Sequence, residues 1–448
     1  MKHKNHISYK YYVKGELEIT SPLIIASGND EIADLQCIRD KDGKLFIPAT
    51  TIAGNIRDYL NRHFKNDNLI NLIFGSDNDQ SEQSMFIFYD AELINVPNLC
   101  VRDGVALDDW NKTVKEKSKY DYEVINPETT FLFRMEVNVR EKSPKNKEDI
   151  EAIILKVIST LCRENIRLGA KTRRGFGKIK LINQEFLKID IVNEKDKWIN
   201  FDWQKSSFDS NLNQDENNSE LFNNVYNTKI TADFDIPNSL IIRTYNTDPK
   251  DVDSVSISYK LGNDNIYLIP GTSWNGALRH SLLNIGRELD KYSEMNELIY
   301  NFFGFAGNKQ KNKKAIRSKV IIEESKIRNP KAKKYVRNKI DRFTGGVVES
   351  ALFDEKPIYA AKVTLNCEIN DPQDYEIGML ILAIMELQNG FQSVGGGTNV
   401  GRGRLTGSEV NISTQDKLNL LSESDKSKYL NALATALNTT GGNDAKPE

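Results

Sequence analysis

Residues 169–181 read GAKTRRGFGKIKL, and residues 395–407 read GGGTNVGRGRLTG. At an offset of 226 residues the two segments share the glycines 169/395, 175/401 and 177/403 and the threonines Thr172/Thr398. Upstream, Ile154, Leu155, Ile158 and Leu161 match Leu380, Ile381, Ile384 and Leu387 at the same offset, and their 3-4 spacing predicts one buried helix face in each copy. Further out, IPATTIAGNIR (47–57) matches IPGTSWNGALR (269–279), and ELEITSPLII (16–25) matches DFDIPNSLII (233–242). The last pair alternates like a half-buried strand. The Pro-Thr/Ser pair predicts a hydroxyl-capped helix, running to about His63 in one copy and Leu289 in the other, with aromatic-Gly stops at Phe74-Gly75 and Phe303-Gly304.

Four matched elements in one order predict an internal repeat: one domain over 1–203, a polar Asn/Ser-rich linker over 204–226, and a second domain over 227–448. The order strand, helix, strand, strand, helix, strand predicts an α+β fold, namely two tandem ferredoxin-like domains with helices on one face of each sheet. The middle of each copy, about 80–145 and 305–375, is longer than that core needs, so inserted hairpins or loops are expected there.

Composition narrows the chemistry. The 448 residues carry 61 Lys and Arg against 63 Asp and Glu, a net charge of −2. There is no apolar run of membrane-spanning length, and MKHKNHISYK carries no apolar signal segment, so a cytoplasmic protein with no membrane partner is expected. Four scattered cysteines and four histidines exclude a disulfide framework, a cysteine zinc knuckle and a His-rich metal site. The small net charge hides a block, Lys309 to Arg342, with 14 basic residues against three acids. Such a block points to a polyanionic partner. The Gly-rich loops suit close approach to a phosphate chain, with Lys171, Arg173, Arg174, Arg402 and Arg404 to neutralise it. Neither loop is a Walker motif, and no G-x-S-x-G occurs. Aspartates follow the first strand of each copy: Asp34 in the first, Asp251 and Asp253 in the second. A carboxylate so placed could hold a divalent cation or orient an attacking hydroxyl.

Together these residues resemble, twice, the RAMP-superfamily backbone subunit of type III CRISPR effector complexes. The resemblance rests on the two I-P-[AG]-T-[ST]-x-x-G-x-[IL]-R segments, the aromatic-Gly stops, the Gly-rich loops, and RNKIDRFTGGVVESALFDEKPIYAAKV (337–363), with VRDGVALDDW (101–110) as its weaker counterpart. Two fused copies look like the tandem subunits of III-D-like systems. The resemblance implies ferredoxin-like RNA-recognition domains, each with an inserted thumb hairpin. It implies CRISPR RNA, complementary target RNA and other type III effector subunits as partners. It also implies target cleavage by a loop aspartate with divalent metal, Mg2+ or Mn2+, not stably bound. Asp34 takes the catalytic place in the first copy, and in the second Asp253 precedes Asp251 as the choice. The RNA-binding set it implies is Arg57, Gly169, Lys171, Thr172, Arg173, Arg174 and Gly175 in the first copy. In the second it is Arg279, Arg337, Arg342, Gly395, Gly396, Gly397, Thr398, Asn399, Arg402 and Arg404. Ala53 and Asn275 stand where family members often carry Lys. A purely structural guide-holding subunit and a guide-processing endoribonuclease are the alternatives.

Overall fold

The computed structural model describes residues 6–26, 34–63, 67–75, 83–108, 113–116, 118–141, 147–209, 227–245, 252, 254–305, 307, 314–414 and 417–440. They divide into two units: Met1–Val105 with Lys117–Thr172 and Phe176–Val225, and Tyr226–Glu448 with Ala106–Glu116 and Arg173–Gly175.

In the first unit the strand Ile7–Ile19 lies between Thr130–Arg140 and Ile179–Asp190, antiparallel to both. Its alternation buries Tyr11, Val13, Leu17 and Ile19 on one face. Helix Ala49–His63 packs there through Ile52, Ile56 and Leu60, and helix Lys147–Cys162 through Ile150, Ile154, Val157, Ile158 and Leu161. The opposite face is covered near Tyr12, Leu187 and Ile189 by Phe201, Trp203 and Phe208, so that the start of the polar 204–226 stretch packs on the sheet.

The second unit repeats the plan. Strand Asn227–Leu240 lies between Ile358–Asn370 and Val410–Thr414, again antiparallel to both. Helices Gly271–Glu288 and Asp374–Gln388 bury Trp274, Leu278, Leu282, Leu380, Ile381, Ile384 and Leu387 against it. Leu17 faces Phe131 in the first unit and Phe234 faces Val363 in the second, which preserves the alignment of ELEI with DFDI in register. The fold is α+β with two tandem ferredoxin-like units, as the order of elements predicts. Each carries an inserted hairpin: Leu99–Gly104 with Tyr120–Ile125, and Tyr335–Ile340 with Val347–Lys356.

Local details differ from expectation. Thr272 and Ser273 do not cap the helix; its N-cap is Pro270, whose carbonyl takes the Ser273 and Trp274 amides, and Thr272 and Ser273 fall in the first turn. In the first unit the Ala49 amide is capped by Asp90 Oδ1 at 2.7 Å, a residue remote in sequence. Short second helices, Asp67–Phe74 and Tyr292–Phe303, precede the aromatic-Gly stops. A further helix, Glu423–Thr439, capped by Ser422, packs so closely on Asp374–Gln388 that a Cβ at Gly378 would lie 2.3 Å from the Tyr429 carbonyl oxygen.

Trp274 is fully buried and donates Nε1–H to Ser325 Oγ at 3.0 Å. Trp274→Ala is expected to cost the second unit about 3–5 kcal/mol, measured by chemical unfolding; a loss below about 1 kcal/mol would contradict this packing.

Candidate functional site

In the first unit the residue after Asp34, Leu35, bridges Tyr122 in parallel, and Asp34 Oδ2 accepts the Asp121 amide at 3.0 Å. Asp34 is exposed. The chain beyond it is anchored to the same strand by Glu123, a buried carboxylate that takes the Cys37 amide at 2.9 Å and both Arg39 nitrogens at 2.6 and 3.0 Å. This bidentate pair fixes the segment that carries Asp34.

Lys171 reaches the same strand from the Gly-rich loop. Its backbone is left-handed, with φ of 56°. Its Nζ donates to Tyr120 Oη at 3.0 Å and lies 3.3 Å from the centre of the Tyr122 ring and 4.7 Å from that of Tyr120. The ring faces supply the negative potential a desolvated ammonium needs. Beneath them Phe176 is buried, with the Arg102 guanidinium 5.7 Å over its ring and Arg102 Nη2 donating to Asn126 Oδ1 at 3.2 Å. Burial, and second the charge of Arg102, push Lys171 down to about 8. Asp34 and Lys171, both expected site residues, are thus brought to one three-residue stretch, Tyr120–Tyr122. Arg102, Tyr120 and Tyr122 were not foreseen; Arg102 does lie in the VRDGVALDDW segment.

In the second unit Asp251 and Asp253 lie outside the described residues. Ser254, next after Asp253 in the chain, pairs in parallel with Glu355. Glu355 is buried and receives three arginines: Arg402 Nη1 at 2.7 Å, Arg243 Nη2 at 3.6 Å, and Arg337 Nη2, which donates to Oε1. Arg337 and Arg402 were expected here; Arg243 and Glu355 were not, and nothing in their own spacing singled them out.

The remaining expected residues are dispersed. Arg57 bonds Asn71 Oδ1 at 3.2 Å, and Arg279 bonds the Gly304 carbonyl at 3.1 Å, so each ties the middle of its helix to the helix that follows. Arg173–Gly175 group with the second unit, where burial, and second Arg279, push the Arg174 guanidinium down to about 10. Thr398, Asn399, Arg342 and Arg404 are exposed, and Thr172 is half-buried. Gly169 and Gly395 serve their own chain first: with φ of 77° and 87°, their missing Cβ atoms leave room for the Ile24 and Ile241 carbonyls. Gly396 and Gly397 lie beside Arg243 and Arg402, and Gly175 is buried.

The basic block is less cationic in space than in sequence. Lys319 is paired with buried Glu376 at 2.6 Å, Arg328 with Asp233 at 2.9 Å, Lys334 with Asp354 at 2.6 Å and Arg337 with Glu355. Lys309, Lys311 and Lys313 lie outside the described residues.

Among the described residues no three His, Cys, Asp or Glu side chains gather as a metal site. The donor set does fit a transient oxygen-ligated cation, since Asp34 is an exposed carboxylate held at the Asp121 backbone. Mg2+ is typically held by one or two carboxylates together with substrate phosphates and water. Among the described residues no helix is long and apolar enough to cross a membrane.

The family model of the RAMP superfamily matches residues 16–180 and, separately, 259–406. No curated protein matches the chain.

With Lys171 held as described, its ammonium should lose its proton near pH 8, against about 10.4 for an ordinary lysine. Its charge is present below that pH and lost above it. NMR of reductively methylated protein, with Lys171→Arg to assign the signal, measures this; a Lys171 midpoint above 10 would contradict the enclosed geometry.

Proposed function

The chain belongs to the RAMP superfamily, and on that premise we propose that it is a tandem CRISPR RNA-binding backbone subunit of a type III effector complex. In this reading it holds the guide–target duplex and cuts target RNA through its loop aspartates. The family's general association with CRISPR RNA supports the partner class. One observation carries the rest. In each unit the residue that follows the loop aspartate in the chain pairs in parallel with the second strand of the inserted hairpin, and a cation from the Gly-rich loop contacts that same hairpin strand.

RNA carries its own nucleophile, the 2′-hydroxyl, so cleavage needs in-line geometry, charge neutralisation and one proton acceptor or metal ligand. Asp34 is the group assigned that task in the first unit. Asp253, placed next to Ser254 as Asp34 is next to Leu35, is its counterpart, with Asp251 second. Lys171, packed on the hairpin strand whose Asp121 amide holds Asp34, is the neutralising cation. When bound, a divalent ion would be held by Asp34 with RNA oxygens and would supply further neutralisation. Guide contacts through phosphates are independent of sequence, which leaves target choice to base pairing.

The assembled complex, given complementary RNA, should yield a ladder of products. Asp34→Ala is expected to remove one product and Asp253→Ala another, each by about a hundredfold or more. Chelation of divalent ions should stop cleavage without releasing the guide. A ladder unchanged in both variants would leave a guide-holding subunit without nuclease activity.

A further inference from the structure

The duplication supplies an internal control for the Glu355 cluster. Three independent pairings align the units at this place. Leu23 bridges Ile125 as Leu240 pairs with Ile358; Leu35 bridges Tyr122 as Ser254 pairs with Glu355; Ala26 bridges Cys37 as Arg243 pairs with Ser256. The loops align Phe176 with Arg402. Tyr122 and Phe176 of the first unit are therefore replaced by Glu355 and Arg402 in the second, and Ala26 by Arg243. Both pairs are buried: Tyr122 and Glu355 are each 3% exposed, Phe176 0% and Arg402 5%.

The fold can fill this space with two aromatic rings, so it does not require ions. Burying an ion cluster where apolar side chains fit is often no gain in stability, and can be a loss. What persists between the units is positive charge at this place, held on ring faces in one (Lys171 over Tyr122, Arg102 over Phe176) and on a carboxylate in the other. Three guanidiniums on one glutamate leave a net charge of +2. The cluster is also not saturated. Arg402 Nη1 is ion-paired with Glu355 Oε2 at 2.7 Å, out of line for a hydrogen bond. Arg243 and Arg337 are 53% and 33% exposed, so the cluster opens to solvent at one side. Two partly exposed guanidiniums, backed by a buried third on the same carboxylate, suit an oxyanion with several lone pairs.

We propose that Arg243, Arg337 and Arg402, spaced by the positioning residue Glu355, form a seat for one backbone phosphate of a single RNA strand where the inserted hairpin of the second unit meets its Gly-rich loop. This rests on the RNA-binding reading above and adds to it a defined subsite. Glu355 keeps three like charges together in the absence of RNA, and the incoming phosphate accepts from the solvent-facing nitrogens of Arg243 and Arg337.

The test transplants the first unit's residues: Arg243→Ala, Glu355→Tyr and Arg402→Phe together in the full chain, with Arg243→Ala alone as the milder variant. Binding of a single-stranded RNA of arbitrary sequence is measured across a salt series, and thermal melting is followed in parallel. Melting of the triple variant is expected to match or exceed that of the unaltered chain. RNA affinity should fall about tenfold or more, and the slope of log affinity against log salt should shrink by about 0.7, one phosphate contact. Arg243→Ala should move the slope in the same direction. Unchanged affinity and slope in a folded triple variant overturn the proposal; if that variant does not fold, an unchanged slope in Arg243→Ala does so. ATP bound at this seat as tightly as the polymer also overturns it, by assigning the arginines to a free nucleotide. If the unaltered chain binds no RNA at all, the functional reading itself fails, which is distinct from an RNA-binding chain indifferent to these substitutions.

Discussion

One backbone hydrogen bond, made twice, holds the functional end of each unit together. The Ala170 amide donates to the Ile24 carbonyl, and the Gly396 amide donates to the Ile241 carbonyl, both at 2.8 Å. These carbonyls lie just beyond the central strand, where the chain leaves the sheet for the loop that carries the aspartates. The same bond draws in the Gly-rich loop and so brings two segments far apart in sequence to the base of the inserted hairpin. It also explains the glycine before each donor. A Cβ at Gly169 would sit 2.0 Å from the Ile24 oxygen, and one at Gly395 would sit 2.5 Å from the Ile241 oxygen. No side chain fits, whatever the ligand, and at positive φ only glycine adopts the turn without strain.

From that junction follows the electrostatic problem the two units solve differently. Cations clustered away from water repel one another, and each loses hydration. The first unit uses the quadrupoles of Tyr120, Tyr122 and Phe176, and the cost remains visible in the lowered proton affinity of Lys171. The second uses a full negative charge at Glu355, shared among three arginines. Ring faces hold a cation weakly and leave its charge unneutralised. A carboxylate holds guanidiniums firmly but cancels one charge. The two units therefore differ in what they offer an anion, though their backbone pairings at this place match.

Much of the architecture was legible because it is written in periodicity and repetition. The strand alternation in 16–25 and 233–242 and the 3-4 spacing in 154–161 and 380–387 are local signals of burial, and their recurrence in one order fixes the topology. The helix starts were misread for a reason of the same kind. Thr and Ser after Pro look like caps locally, yet the first helix takes its cap from Asp90, and the second from the Pro270 carbonyl. The site was half legible. Lys171, Arg337 and Arg402 stand out as cations among glycines or in a basic block. Arg102, Arg243 and Glu355 do not, since their meaning depends on parallel pairing between a loop-end strand and a hairpin, which no local pattern encodes.

The basic block shows the limit of counting charge along a chain. Its excess of eleven positive charges is drawn down by Glu376, Asp233, Asp354 and Glu355, all four of which lie outside the segment's own stretch of sequence. The buried pair Lys319–Glu376 is a structural tie, because Glu376 is wholly enclosed and also caps the Gln373 amide at the start of its helix. Removing Lys319 would leave that carboxylate without its cation, a destabilising change unrelated to any polyanion. Lys339 and Arg342, by contrast, are exposed on the hairpin and its turn, and among the described residues neither is paired with a buried acid. The useful division of the block is therefore between cations that neutralise the protein's own buried acids and cations that the hairpin carries into solvent. Arg337 belongs to both classes, as Lys319 does in part: each is bonded to a buried carboxylate yet is itself partly exposed. Only a residue in that intermediate state can be held in place before a ligand arrives and still be reached by it.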